Sequence, residues 1–131
     1  MKRQSTMAGK QSVFYRMLTN EGLNSLIELP KATARILLKI IQHSNKHDNC
    51  LQLSTPALIS MYNLNQSNVY THIRHLKKID FLKEVLDING ASRLMVNPVF
   101  ISWQTRDRIR FSIIMYALGS HHETVKLRDS E

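Results

Sequence analysis

The sequence predicts an α+β domain, and three observations carry that reading. Apolar residues recur at helical spacing after Pro30, two short helical segments are parted by Asn63-Leu64-Asn65, and an Asn89-Gly90 dipeptide sits between two strand-like segments.

The elements follow in chain order. Residues 1–12 carry Lys2, Arg3 and Lys10 with no acid and read as a flexible basic tail, leaving 13–100 as the domain proper. The apolar run at 13–18 suits either a strand or the first turn of a helix, because periodicity does not separate the two at this length. Pro30 is placed to be a first helical residue. After it Ala34, Leu37, Leu38 and Ile41 fall at i, i+3, i+4 and i+7, with Lys31, Arg35, Lys39 and Gln42 largely opposite. A polar break over 44–49 precedes 50–53, which is short enough to be an edge strand. Ser54-Thr55-Pro56 pairs a cap with an early proline and announces a helix over about 57–62 that supplies Leu58, Ile59 and Met61. Leu64 then anchors a tight turn, Asn65 caps, and a second helix runs over about 66–79 on an inward stripe of Val69, Ile73 and Leu76. Strand character over 81–88 and 92–96 surrounds Asn89-Gly90, which predicts a type I′ turn with both central residues at positive φ. Pro98 ends the second strand. A C-terminal helix is expected within 101–119, stopped by Gly119, and 120–131 reads as a flexible tail.

That order is a winged helix-turn-helix: a three-helix core with a short hairpin wing, an N-terminal segment and a C-terminal helix. The length of 131 residues suits one such domain with short extensions. Eighteen Lys and Arg against ten Asp and Glu leave a net charge of +8, which draws anionic partners, nucleic acid before acidic membrane. The longest apolar stretch, 113–118, falls far short of the roughly 20 residues of a membrane span. No apolar run follows the basic start, and Cys50 is the single cysteine, so a reducing, cytoplasmic setting is expected.

In a helix-turn-helix the first helix braces the second, whose early residues meet base edges in the major groove. Gln66, Ser67, Asn68, Tyr70 and Thr71 are the candidates for base readout, since amides and hydroxyls suit base edges and Asn or Gln pairs bidentately with adenine. Arg74, His75, Lys77 and Lys78 come later on the helix and suit phosphates, as do Ser54 and Thr55 where the bracing helix starts. No acid occurs over 66–79, as a surface for a phosphate backbone requires. A basic amphipathic helix alone is commonly just solvated; the tight turn before it and the hairpin after it are what make it a reading head. Lys83 and Arg93 flank the wing and are candidates to reach the adjacent backbone or minor groove. A wing that merely closes the core is the competing reading.

The stretch from Leu53-Ser54-Thr55 through Tyr62-Asn63-Leu64-Asn65 to Asp80-Phe81-Leu82 resembles bacterial winged-helix regulators. The short wing ending in Met95-Val96-Asn97-Pro98-Val99-Phe100, followed by a basic helix, resembles the RepL-type plasmid replication proteins, as do Phe14-Tyr15-Arg16-Met17-Leu18 and Leu26-Ile27-Glu28-Leu29. The resemblance covers about residues 13–118. It implies a bacterial, plasmid-encoded protein that binds a replication origin or its own promoter, with replication or transcription machinery as further partners. A winged-helix transcriptional repressor, ligand-responsive or not, is the alternative, and gene context separates the two. His72 departs from the pattern, which usually has a small residue such as Ala there.

Ile109, Ile113, Ile114, Tyr116 and Leu118 are more apolar surface than a terminal helix leaves bare, so a homodimer through this helix is expected. His43, His47 and Cys50 lie close in sequence, but no carboxylate or second cysteine completes a dense cluster, and no metal or other cofactor is expected. His72 is read as a half-buried packing residue, and His121 and His122 as bystanders in the tail. DNA nicking needs two histidines flanking one apolar residue together with a tyrosine nucleophile, and His72-Ile73-Arg74-His75 has the wrong spacing. With four glycines in the chain and no phosphate-cradling loop, nucleotide hydrolysis is unsupported too, so no enzyme is expected.

Overall fold

In the computed structural model, residues 17–102 and 106–129 are described. They form an α+β arrangement of six helices and two small antiparallel sheets. The order is β1 (Met17–Leu18), α1 (Asn20–Ile27), α2 (Lys31–Gln42), α3 (Thr55–Tyr62), α4 (Gln66–Lys78), β2 (Leu82–Leu86), β3 (Ser92–Val96), β4 (Ile101–Ser102), α5 (Arg106–Leu118) and α6 (His121–Asp129). The basic tail at 1–12 lies outside the described residues; of the run at 13–18, Met17 and Leu18 pair with β4 as a strand.

Helix α1, which the sequence reading did not separate out, starts on Thr19, whose hydroxyl accepts from the Gly22 N–H. Pro30 sits just ahead of α2 rather than inside it. The buried face of α2 is Thr33, Ile36, Leu37, Ile40 and Ile41, so the expected stripe is corrected: Leu38 is half exposed and Ala34 only half-buried. Two further strand and core expectations change. Residues 50–53 make isolated bridges, Ser44 to Leu51 and Cys50 to Met95, instead of a strand, and Met61 points to solvent.

The α3–α4 pair forms for local reasons. Ser54 Oγ accepts from the Ala57 N–H at 3.2 Å with Pro56 in the first turn, which starts α3. Asn63 takes the left-handed conformation (φ 52°) that ends it, and Leu64 tucks against the core. Asn65 Oδ1 then accepts from the Asn68 N–H at 3.0 Å and starts α4. Val69, Ile73 and Leu76 are buried against α2 and α3 with Phe81, Leu82, Leu94 and Val96.

The β2–β3 hairpin pairs Leu82 with Val96 through Leu86 with Ser92. Its turn corrects the type I′ expectation: Gly90 has φ 79°, but Asn89 is not in the left-handed region. The turn spans 87–91, closed by the Gly90 N–H on Asp87 O and by Asp87 Oδ1 accepting from Asn89 and Ala91 N–H groups. One face of the hairpin completes the three-helix core through Leu82, Leu94 and Val96. The other packs Val85 and Met95 on Cys50, Met115 and Tyr116, so α5 covers the hairpin's back. The C-terminal expectations are corrected as well. Residues 101–102 are β4, and the tail placed at 120–131 is helical over His121–Asp129, capped by Ser120 Oγ accepting from the Glu123 N–H. No helix among the described residues is long and apolar enough to cross a membrane.

Candidate nucleic-acid interface

With Val69, Ile73 and Leu76 turned inward, the opposite side of α4 is Ser67, Thr71, Arg74 and Lys78 at i, i+4, i+7 and i+11, all exposed. Gln66, Tyr70 and Lys77 occupy the flank toward the hairpin, Asn68, His72 and His75 the other flank. Gln66, Asn68 and Tyr70 are exposed and His75 half-buried. The five base-readout candidates thus span more than one face rather than forming a single row.

Their hydrogen-bonding capacity is unequal. Ser67 Oγ donates to Asn65 Oδ1 at 3.0 Å and Thr71 Oγ1 donates to Ser67 O at 2.9 Å. Both hydroxyls have spent their proton and retain only acceptor capacity. Among the described residues the Gln66 and Asn68 side-chain amides have no hydrogen-bond partner, so both donors and acceptor remain for a ligand.

Between α4 and the hairpin runs a trough of about 390 Å³, bordered by Ser54, Thr55, Tyr70, Lys77, Glu84 and Arg93. The two α3 candidates therefore do lie beside α4. Lys77 is not the open cation that its sequence position suggests: its Nζ is 2.7 Å from Glu84 Oε1. Ser92 Oγ donates to Glu84 Oε2 at 2.6 Å. Hydrogen bonds from Lys77 and Ser92 hold the Glu84 carboxyl below the usual carboxylate range. Neither Glu84 nor Ser92 was a sequence candidate, because only the strand register brings them opposite α4.

The two wing cations are corrected. Lys83 points to the back of the hairpin, where its Nζ donates to Ala117 O at 3.0 Å and lies 5.7 Å from the centre of the Tyr116 ring. Arg93 Nε donates to Asp87 Oδ2 at 2.8 Å, and its guanidinium also donates to Leu51 O at 3.2 Å. Both are internal ties of the hairpin. The dimer candidates divide in the same way. Tyr116 is buried, and its hydroxyl donates to Asp80 O and Oδ1; burial first, then the Asp80 carboxylate, push its phenol well above the ordinary range. Ile109 and Ile114 are half-buried, while Ile113 and Leu118 are exposed, joined by Leu127 from α6.

The histidines and the cysteine have structural places. His72 Nδ1 is hydrogen-bonded to the buried Thr33 Oγ1 at 2.9 Å, which fits the expected half-buried packing role and ties α4 to α2. His43 Nε2 is bonded to the Tyr62 hydroxyl at 2.7 Å, and burial, then the Asp48 charge, push the Cys50 thiol up to about 12. Among the described residues no three His, Cys, Asp or Glu side chains come together as a metal site. His121 opens α6 with its ring 5.4 Å from that of Phe111, and burial, then the nearby His122, Arg108 and Arg128 charges, lower its pKa. No family model, no curated protein and no solved structure matches the chain.

Proposed function

We propose that the protein binds double-stranded DNA sequence-specifically as a winged helix-turn-helix, with α4 in the major groove. The observation that carries this reading is the outer surface of α4: fully exposed, free of acid, with polar residues in its first two turns and Arg74 and Lys78 beyond them. Gln66 and Asn68 read base edges with complete amides. Ser67 and Thr71 accept from exocyclic amines, and Arg74 and Lys78 hold phosphates. The hairpin is a brace rather than a cationic wing, since Lys83 and Arg93 are consumed internally.

The role proposed for this binding is plasmid replication or maintenance at an origin or promoter, on the strength of the RepL-type resemblance of the chain. The protein acts as a homodimer, joined through exposed Ile113, Leu118 and Leu127 of α5 and α6, so that two α4 helices address half-sites about one helical turn apart. It is a binding protein and not an enzyme.

Selection of bound duplexes from a random pool tests the reading directly: an enriched palindromic motif is expected, and no enrichment at low salt sinks it. Substitutions then sort the surface. Gln66→Ala or Asn68→Ala is expected to cost about 1–3 kcal/mol on the selected site and little on random DNA. Arg74→Ala and Lys78→Ala weaken both, each lowering the salt dependence by about 0.9 in slope.

A further inference from the structure

Of the described residues bordering the trough between α4 and the hairpin, Glu84 alone is acidic, and it sits beside a helix that has no acid. Its place there needs a reason. The Lys77 and Glu84 side chains are 38% and 55% exposed, and an ion pair so open contributes little to folding. Nor does Glu84 fill core space: its strand neighbours Leu82, Leu94 and Val96 do that.

What Glu84 does hold is a set of donors. One carboxylate oxygen takes the Lys77 ammonium at 2.7 Å, the other takes the Ser92 hydroxyl at 2.6 Å. An ammonium and a hydroxyl presented to two oxygens on one central atom is also how two non-bridging phosphate oxygens are held. The two donors come from separate elements, α4 and β3, and meet in the trough that Ser54, Thr55 and Tyr70 also border.

We propose that Lys77 Nζ and Ser92 Oγ form the seat for one DNA phosphate, and that Glu84 occupies this seat in the free protein as an internal stand-in that DNA displaces. The inference rests on the DNA-binding reading and adds to it a device that limits sequence-independent affinity. A phosphate arriving at Lys77 must compete with a carboxylate already in place, so weak backbone contact alone gains less than the net charge of +8 suggests.

The test is fluorescence anisotropy of the full chain with a labelled mixed-sequence duplex across a salt series. Glu84→Gln is expected to bind about three- to tenfold tighter at low salt, with the salt slope steeper by about 0.9, one extra counterion-releasing contact. The gain should vanish in a Lys77→Ala background and shrink with Ser92→Ala. Glu28→Gln, which removes the same charge at the end of α1, should change affinity less than twofold. Wild-type binding that Glu84→Gln leaves unchanged overturns the seat and spares the DNA reading, as does a gain that persists without Lys77. A wild-type chain that binds no duplex at low salt overturns both. Melting curves of each variant confirm folding, which substitutions at these open positions leave intact.

Discussion

Two local contacts show how closely the scaffold behind α4 is specified. Thr19 donates to Phe100 O through both its N–H (2.9 Å) and its hydroxyl (3.1 Å), which draws the start of α1 down onto the chain after the hairpin. Gly22 lies at that approach: a Cβ there would stand 2.8 Å from the Phe100 carbonyl carbon and closer still to its oxygen. Because the obstacle is backbone, Gly22→Ala is expected to lose about 1–3 kcal/mol in urea unfolding. Asp87 is the second case. Burial alone would raise its carboxyl, but N–H donation from Ala91, the Arg93 guanidinium and the Asn89 N–H outweigh it and hold the pKa below the ordinary range. The folded form therefore favours the anion. This stability is full above the ordinary aspartate range and lost as pH falls through the lowered folded value. Asp87→Asn should cost about 1–3 kcal/mol at neutral pH. It should also flatten the loss of melting temperature on acidification; an equally steep loss in the variant would show that another carboxylate governs it.

At the scale of elements, what was legible in the sequence is what local chemistry decides. The α3–turn–α4 unit follows from Ser54, Pro56, Leu64, Asn65 and the Val69–Ile73–Leu76 stripe, each acting within a few residues of itself. Helix α6 carried a similar signal in Ser120-His121-His122-Glu123, a capping-box pattern that the polar composition obscured. The misplaced residues failed for a different reason. Alternation along β2 and β3 tells which side chains share a face, but not that α5 meets Lys83 there or that Asp87 and the Leu51 carbonyl take Arg93, so both looked available. Glu84 was invisible for another cause: it lies on the first face, and only the pairing register sets it opposite Lys77 of α4. The α2 stripe was misjudged because Thr33 appears polar until His72 meets it across the helix interface. That contact predicts its own test: Thr33→Val keeps the shape, leaves His72 Nδ1 without its partner, and should cost about 1 kcal/mol. Faster amide exchange in the middle of α4 should accompany it, and unchanged exchange would mean the bond does not help seat the helix.

At the scale of the whole molecule, the packing of the layers leaves an apolar surface open on α5 and α6. The three-helix core closes the front of the hairpin and α5 closes its back, while α6 covers part of α5. Ile113, Leu118 and Leu127 still remain 38–47% exposed, and Leu118 and Leu127 border a shallow groove rimmed by Glu123 and Lys126. A chain with a net charge of +8 repels its copies, so contact between copies needs a patch where charge balances. This groove is such a patch. Glu123 and Lys126 lie 3.8 Å apart within one chain, so a two-fold axis through the groove would bring two charge-balanced pairs together around the buried leucines, the self-complementarity that a dimer interface requires. If the proposed dimer forms through this groove, Leu118→Glu places like charges across that axis and should leave only monomer in light scattering, with melting temperature little changed because the side chain is already half open. Duplexes with two half-sites should then lose affinity, while a single half-site binds as before, since α4 and its trough lie on the opposite side of the hairpin from α5. A wild-type chain that is monomeric at micromolar concentration would remove the interface, and the two half-sites would have to be filled independently.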